Sequence, residues 1–188
     1  METKIKKING KEEVTDKMEK RNKMQEMEIE KMVLNCGGTD DKLDKSIKLL
    51  EKITGKKIQI LQSKGRIPAF GISPGKKSGC KVTIRDKKQI KDLLRRFFAA
   101  LDNHILKKQI TENHCCFGIR EYIEIPGLEY ERDIGILGFE ISLVFKRKGK
   151  RVKNKKIKQG KYPQRQRVTK QEINDYLIKN FELEISEK

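Results

Sequence analysis

The feature of the sequence that most constrains the fold is a cationic stretch that lies between two segments patterned as ordered structure. Residues 141–171 contain no aspartate or glutamate but thirteen lysines and arginines. A charge run of this length is most often a solvated tail. This one contains Tyr162 and Pro163 and leads into a well-patterned helix, so it must bridge two folded elements. Because phosphates would neutralise its charge, the sequence predicts contact with RNA or DNA, with a purely solvated loop as the alternative.

The overall charge agrees with that interpretation. The formal net charge is +18, and a field of this sign attracts polyanions, either nucleic acid or an anionic membrane surface. No run approaches 18 apolar residues, so we expect no membrane span, and the N-terminus lacks the apolar stretch of a secretory signal. Residues 1–23 are almost entirely polar and charged, without a lasting apolar period, which predicts a mobile extension. The length of 188 residues suits one domain with tails, and we expect that domain over 24–185. That domain would include a basic segment at 146–168 and a final helix at 169–181.

Apolar periodicity in the first half of the chain predicts a strand, a helix and a second strand before a long loop. The expected strands are 27–35 and 57–61. Thr39 is expected to cap the intervening helix, and Gly55 to end it. The loop at 62–79 contains four glycines and two prolines, and loops of this length in compact domains are usually functional or disordered.

The second half shows a similar alternation of patterns. Asp86 is expected to cap a helix whose apolar stripe runs from Ile90 to Ile105. The remaining strands are predicted at 80–85, 115–125 and 138–146.

The order of these elements predicts an α+β fold. Thr169 and Glu172 have the spacing of a capping box, which predicts one more helix after the basic segment. We therefore expect an antiparallel or mixed sheet of about five strands with helices packed on one face, a sandwich related to the split βαβ plan. The other face of the sheet would then be free to meet a ligand.

The sequence offers little for catalysis or metal binding. Its four cysteines, at positions 36, 80, 115 and 116, form no C-x-x-C pair. We expect reduced, mostly buried thiols. Both histidines, His104 and His114, are expected at the surface, with His104 on the second helix. We predict no enzyme, no metal and no cofactor, with a thiol- or metal-dependent enzyme centred on 114–116 as a rival.

RNA is favoured over DNA as the partner. No predicted helix presents a basic face suited to the major groove, whereas a sheet face, a glycine-rich loop and a flexible basic strand suit shaped RNA. Aromatic residues are few, and Phe70 in the loop is the candidate for stacking. Its alternative, packing onto the core, stays open at this point.

Five segments of the chain carry a recognisable set of motifs: "VLNCGGTDDKL" at 33–43, "LEKITGKKI" at 50–58, "IPAFGI" at 67–72, "GCKVTIR" at 79–85 and "CFGIREYIEIPGLEYERDIGILGFEISL" at 116–143. The last segment is the most specific, with its ordered series of Phe-Gly-Ile, acid-Tyr-Ile, Ile-Pro-Gly and Gly-Ile-x-Gly. Together they resemble the universal L-five family of large-subunit ribosomal proteins, which bind 5S rRNA and are called L-eleven in eukaryotic cytosolic ribosomes. The resemblance runs from about Met24 to Phe181, and "YPQRQRVTKQEI" resembles the archaeal and eukaryotic branch.

The resemblance implies a sandwich whose open sheet face and adjoining loops hold 5S rRNA in the central protuberance of a cytoplasmic ribosome. Asn35, Phe70 and Thr83 match family positions that touch 5S rRNA. The implied partners are 5S rRNA, the large-subunit rRNA, the P-site tRNA, the other 5S rRNA-binding ribosomal protein and a small-subunit head protein at an intersubunit bridge, with no membrane. A free RNA-binding module that stays off ribosomes, such as an RNA chaperone or a tRNA-binding factor, is the rival.

The chain departs from the family pattern in the loop and near it. Ser73 replaces an arginine in the tRNA-proximal loop, where Lys76 and Lys77 could supply the missing charge, and Lys56 replaces an RNA-contacting glutamine. The residues predicted to bind RNA are Asn35, Lys56, Lys64, Arg66, Phe70, Lys81, Thr83, Arg85, Lys146, Arg147, Lys148, Lys150, Arg151, Lys153, Lys155, Lys156, Lys158, Lys161, Arg165 and Arg167.

Overall fold

A computed structural model of the chain describes residue 22 and residues 24–186. The predicted extension at 1–23 lies, apart from residue 22, outside the described residues. The described residues divide into two compact units, one comprising Ile29–Phe145 with 168–186 and a smaller one comprising residues 22 and 24–28 with Lys146–Arg167. None of the helices in the described part of the chain is long and apolar enough to cross a bilayer.

A six-stranded sheet in the order β2-β3-β1-β7-β6-β5 is the centre of the fold, and a separate pair, β4 and β8, forms a second small sheet. The strands are β1 (Met27–Gly37), β2 (Gln59–Gln62), β3 (Lys77–Ile84), β4 (His104–Leu106), β5 (Ile110–Thr111), β6 (His114–Ile119), β7 (Phe139–Arg147) and β8 (Glu184–Ser186). The helices are α1 (Asp41–Thr54), α2 (Lys87–Ala99), α3 (Arg151–Asn154) and α4 (Lys170–Phe181). The predicted fold class is confirmed, and the sixth strand, β5, is too short for a periodic pattern.

One face of the sheet is sealed by helices. Successive strand residues point to opposite faces, and every second residue of β3 is buried, from Cys80 through Val82 to Ile84. Phe97 and Phe98 of α2 pack at centroid distances of 5.6 Å on Phe139 of β7 and 5.3 Å on Phe117 of β6. The core therefore lies between this face and the helices, and the alternate residues of the strands form an open face.

The second long helix ends earlier than its apolar stripe predicts. It stops at Ala99 because Asp102 and Asn103 take left-handed φ values of 51° and 59°. The Asn103 amide then donates to the Phe98 carbonyl at 2.9 Å, which closes the turn. The prediction that His104 and Ile105 belong to this helix is therefore wrong, since both lie on β4, which pairs in parallel with β8.

The strand predicted at 115–125 is also shorter. β6 ends at Ile119, and a 3-10 turn at Tyr122–Glu124 follows. Tyr122 is fully buried, and its hydroxyl accepts a hydrogen bond from the Glu131 amide at 2.9 Å. Strict alternation would bury Ile123, but the turn exposes it and buries Tyr122 instead.

The ends of the helices test the capping predictions. Asp40, with φ of 51° and no side-chain capping bond, precedes α1, so the prediction that Thr39 caps it is wrong. Gly55 ends α1 in the left-handed region, as predicted. Asp86 caps α2 by accepting from the Lys88 amide at 3.2 Å, as predicted.

The capping box of α4 is confirmed. The Glu172 amide donates to the Thr169 hydroxyl at 3.4 Å, and the Thr169 amide donates to the Glu172 carboxylate at 3.0 Å. Val168 and Ile173, on either side of the box, are fully buried. These contacts fix where α4 begins and dock it onto the core.

Replacing Thr169 with alanine should lower the free energy of unfolding by about 1 kcal/mol, because the Glu172 amide loses the hydroxyl oxygen that accepts its hydrogen bond. Urea unfolding followed by circular dichroism measures the change. Thr39→Ala is the matched control, since Thr39 makes no cap, and it should cost distinctly less. An equal loss in both variants would contradict the assignment of the caps.

Candidate nucleic-acid interface

The open face of the sheet brings together three of the predicted RNA-binding residues. Asn35 of β1 lies directly opposite Lys81 of β3, and Val33 lies opposite Thr83. Opposite side chains in an antiparallel pair have Cβ atoms about 4.5–5.5 Å apart. Asn35, Lys81 and Thr83 are each half-buried, so their polar groups stand in the face and remain within reach of a ligand.

Three further polar residues of the same part of the chain are exposed or half-buried. Gln59 of β2 pairs with Lys81, which extends the polar row to the edge of the sheet. Arg85 is exposed directly after β3, and Lys56 is half-buried directly after Gly55. The structure therefore places Asn35, Lys81 and Gln59 on the open face, with Arg85 directly after β3. This set of amides and cations suits hydrogen bonding to RNA together with attraction to its phosphates.

The predicted loop at 62–79 is a hydrogen-bonded hairpin rather than an irregular segment. At its base the Ser63 amide donates to the Lys76 carbonyl at 2.9 Å. Nearer the tip the amides of Ile67 and Ile72 donate to each other's carbonyls at 2.9 Å and 3.1 Å. The prediction that the loop extends to 79 is wrong, because β3 already begins at Lys77.

Phe70 stands at the tip of this hairpin. A 3-10 turn at Pro68–Phe70 and the left-handed Gly71, with φ of 61°, reverse the chain there. The Phe70 side chain is 75% exposed, so the alternative in which it packs onto the core is wrong. Its contact with RNA stays a prediction, as do those of Lys64 and Arg66, which are exposed on the same hairpin.

The two lysines that were expected to charge the loop have different surroundings. The Lys76 ammonium lies 2.9 Å from the Asp40 carboxylate, so its charge is partly neutralised. Lys77 belongs to β3 and is exposed. Ser73, between them and the tip, is also exposed. An exposed ion pair contributes little to stability, so a phosphate could replace Asp40 as the partner of Lys76.

The basic segment has folded structure of its own. α3 forms one turn of helix, and the Gly160 amide donates to the Val152 carbonyl at 3.2 Å. The Tyr162 hydroxyl donates to the Gln166 carbonyl at 2.6 Å. Lys148 pairs with Glu26 at 2.9 Å, and this hydrogen bond raises the pKa of Lys148.

Most cations of the basic segment face solvent. Lys146, Arg147, Lys148 and Lys150 are half-buried. The exposed ones are Arg151, Lys153, Lys155, Lys156, Lys158, Lys161, Arg165 and Arg167. Ile157 is 77% exposed among them and offers an apolar contact. A count of charges does not reveal this contact, and its only sign in the sequence is an isoleucine between two lysines.

The thiols of the chain lie mostly out of contact with solvent. Cys36, Cys80 and Cys115 are buried and Cys116 is exposed, which confirms that most are buried. Burial raises the pKa of the Cys115 thiol to about 12. Hydrogen bonds with Cys80 and then Ser46 lower the pKa of Cys36, but its side chain is only 4% exposed. Among the described residues no three His, Cys, Asp or Glu side chains converge as metal ligands.

The structure also contains a cleft with a mixed polar and apolar lining that sequence reasoning missed. A depression of about 400 Å³ opens between β1, β6 and β7. Asn35, Gly37, Gly118, Arg120 and Glu140 are among its lining residues. No single sequence motif could reveal it, because its residues come from segments about a hundred positions apart.

Two family models match the chain. The model described as "Ribosomal protein L5" matches residues 22–72, and the model for the C-terminus of the same ribosomal family matches residues 77–174. Together they span both the open face and the basic segment.

Curated archaeal proteins, each named "Large ribosomal subunit protein uL5", are similar over most of their length. The protein of Methanosphaera stadtmanae is 38% identical over 87% of this chain and 99% of its own. That of Nanoarchaeum equitans is 38% identical over 80% and 90%. That of Archaeoglobus fulgidus is 35% identical over 88% and 93%.

Proposed function

The chain belongs to the ribosomal protein L5 family, and from that membership we propose that it is a structural constituent of the large ribosomal subunit that binds 5S rRNA. The observation that carries the proposal is the open sheet face, with Asn35, Lys81 and Thr83 side by side. The site of action is the cytoplasmic ribosome, and the role is architectural rather than enzymatic.

Binding rests on two contributions from different parts of the chain. The polar groups on the open face donate and accept hydrogen bonds, which fix the register and orientation of the RNA. The exposed cations of the basic segment neutralise phosphates and release counterions, which supplies affinity without reading sequence. The acid-free composition of residues 141–171 supports this division of labour, because no carboxylate there competes with phosphate.

The hairpin at 63–76 is the part that extends toward tRNA. Its tip offers Phe70 as an exposed aromatic surface, which can stack on a base or pack on a sugar. Lys64 and Arg66 add charge close by. The neighbouring large-subunit rRNA, the P-site tRNA, the other 5S rRNA-binding protein and a protein of the small-subunit head complete the proposed set of partners.

Sucrose-gradient fractionation of a cell extract tests this function directly. We expect the protein to sediment with the large subunit and with assembled ribosomes, and to remain there after a salt wash that strips loosely bound factors. Recovery only at the top of the gradient would instead identify a free RNA-binding module and overturn the proposal.

Replacing Asn35 or Thr83 with alanine should weaken binding to a 5S rRNA transcript several-fold, since each lost hydrogen bond contributes about 0.5–1.5 kcal/mol. Fluorescence anisotropy with the full chain measures the dissociation constant, and a thermal melt checks that the fold is intact. Thr111→Ala, an exposed threonine on the edge strand β5, is the control and should bind normally. Unchanged affinity in both variants would remove these residues from the interface.

Replacing Lys155, Lys156 and Lys158 with glutamine should flatten the dependence of 5S rRNA affinity on salt. The slope of log K against log salt falls by about 0.7 to 0.9 for each phosphate that the protein no longer neutralises. The control is the triple replacement of Lys45, Lys88 and Lys91 with glutamine, which removes equal charge from the exposed surfaces of α1 and α2. An equal slope of log K against log salt in the two triple variants would show that the basic segment neutralises no more phosphates than the surfaces of α1 and α2 do.

A further inference from the structure

The cleft between β1, β6 and β7 lies in the open face of the sheet. Gly118 of β6 pairs directly with Glu140 of β7, so the two residues share a face. That face is the open one, because Phe117, Ile119, Phe139 and Ile141, which alternate with them, are buried. Asn35 and Gly37 occupy the equivalent positions of β1, which is the neighbour of β7. The cleft thus continues the polar row of Asn35 and Lys81.

The glycines in the cleft are not required by the protein itself. A Cβ added to Gly37 would meet no atom within 4 Å, and one added to Gly118 would meet only the Phe139 carbonyl oxygen at 3.7 Å, an ordinary contact. Neither residue has a left-handed φ. Gly138 is different, because a Cβ there would collide with the carbonyl oxygens of Ile119 and Arg120. Glycine within a strand weakens it, and it often marks a bulge, a bend, or the close approach of a ligand or of another backbone.

Glu140 is the unusual residue of the cleft. An acid in the interface of a strongly basic RNA-binding protein repels phosphate. Such a residue favours binding only where hydrogen bonds from a base to its oxygens offset this repulsion. Glu140 is exposed, and in the described part of the chain no cation lies within 4.0 Å of its carboxylate. Its two oxygens are therefore available as acceptors.

The polar groups of the cleft match the Watson–Crick edge of one base. Guanine presents two adjacent donors, N1–H and the N2 amino group, followed by the O6 acceptor. A carboxylate can accept both donors, and an amide such as that of Asn35 can donate to O6. Adenine and cytosine instead turn a ring-nitrogen acceptor toward the carboxylate, and uracil offers a single donor, N3–H, between two acceptors. The fit requires an unpaired guanine, which is the state in which proteins usually read RNA bases.

We infer that this cleft receives one unpaired guanine base of the bound RNA, with Glu140 and Asn35 reading its Watson–Crick edge. Gly37 and Gly118 keep the floor of the cleft open to the ring, and Arg120 at the rim offers a cation to the attached phosphate. This inference deepens the proposed function and rests on it, because the RNA in question is the one that the open face binds.

Affinity for a 5S rRNA transcript, measured with the full chain, tests the inference through the sign of the effect. Glu140→Gln should weaken binding about tenfold, because one of the two acceptors becomes a donor that must face either N1–H or the N2 amino group. Simple electrostatics predicts the opposite, since removing an acid favours binding to a polyanion. Asp92→Asn, on the exposed surface of α2, makes the same charge change and should bind as tightly as the wild type or slightly more tightly. Gly118→Val should weaken binding while preserving the thermal melting temperature.

Kethoxal footprinting identifies the base, because this reagent modifies N1 and N2 of unpaired guanines. We expect one guanine that the wild type protects to become reactive with Glu140→Gln and with Gly118→Val, while hydroxyl-radical protection of the RNA backbone stays the same. Two results would overturn the inference that the cleft receives a guanine. In one, the Glu140→Gln variant binds as tightly as the Asp92→Asn variant; in the other, no guanine loses its protection when Glu140 is replaced.

The two proposals fail in different ways. If the wild type binds 5S rRNA with preference and Glu140→Gln behaves as Asp92→Asn does, the cleft is wrong and the 5S function stands. If the wild type binds 5S rRNA no better than an unrelated structured RNA of equal length, the 5S function is wrong. The comparison of Glu140→Gln with Asp92→Asn on that unrelated RNA then still decides whether a guanine cleft exists.

Discussion

The covering of one sheet face by helices is the constraint on which the rest of the larger unit depends. Phe97 and Phe98 reach down from α2 onto β7 and β6, and Phe181 of α4 packs against Phe98 at 5.1 Å. Burial of such aromatic surface is a dominant favourable term in folding. Because strand residues alternate, sealing one face also decides which side chains the other face presents. A one-residue slip of β1 against β3 would turn Asn35 toward the core, so the packing of the helices fixes the polar face as well.

The separation of charge follows from the same arrangement. An unpaired cation is costly to bury in the apolar core, so lysines and arginines collect on the open face, on the hairpin and in the basic segment. The acids that remain near these surfaces have individual partners or roles. Asp40 forms an ion pair with Lys76, and Glu26 forms one with Lys148. Glu140 forms no ion pair with any described residue and faces the cleft. An acid is thus informative in this protein where a cation is commonplace.

Much of this architecture could be predicted from local signals, and most of the failures concern backbone turns and strand pairings that side-chain periodicity does not report. The caps by Asp86 and Thr169 are local hydrogen-bonding patterns and were predictable. The overlong second helix was not, because Leu101 and Ile105 fall at helical spacing although the backbone has already turned at Asp102 and Asn103. The closed hairpin depends on backbone bonds between Ile67 and Ile72, which leave no side-chain pattern. Likewise the cleft is assembled by strand pairing between distant segments, which periodicity does not report.

The pairing of the last described strand with the middle of the chain sets an order of events during synthesis. β8 joins β4 in parallel, and the Glu184 amide donates to the Asn103 carbonyl at 2.9 Å. α4, directly before β8, supplies Phe181 and Leu177 to the core. Proteins are synthesised from the N-terminus, so the strands of the open face leave the exit tunnel well before the segment that completes their support. A nascent chain that ends before α4 therefore lacks the helix and the strand that complete the covered side of the sheet, and these dock only after they have emerged.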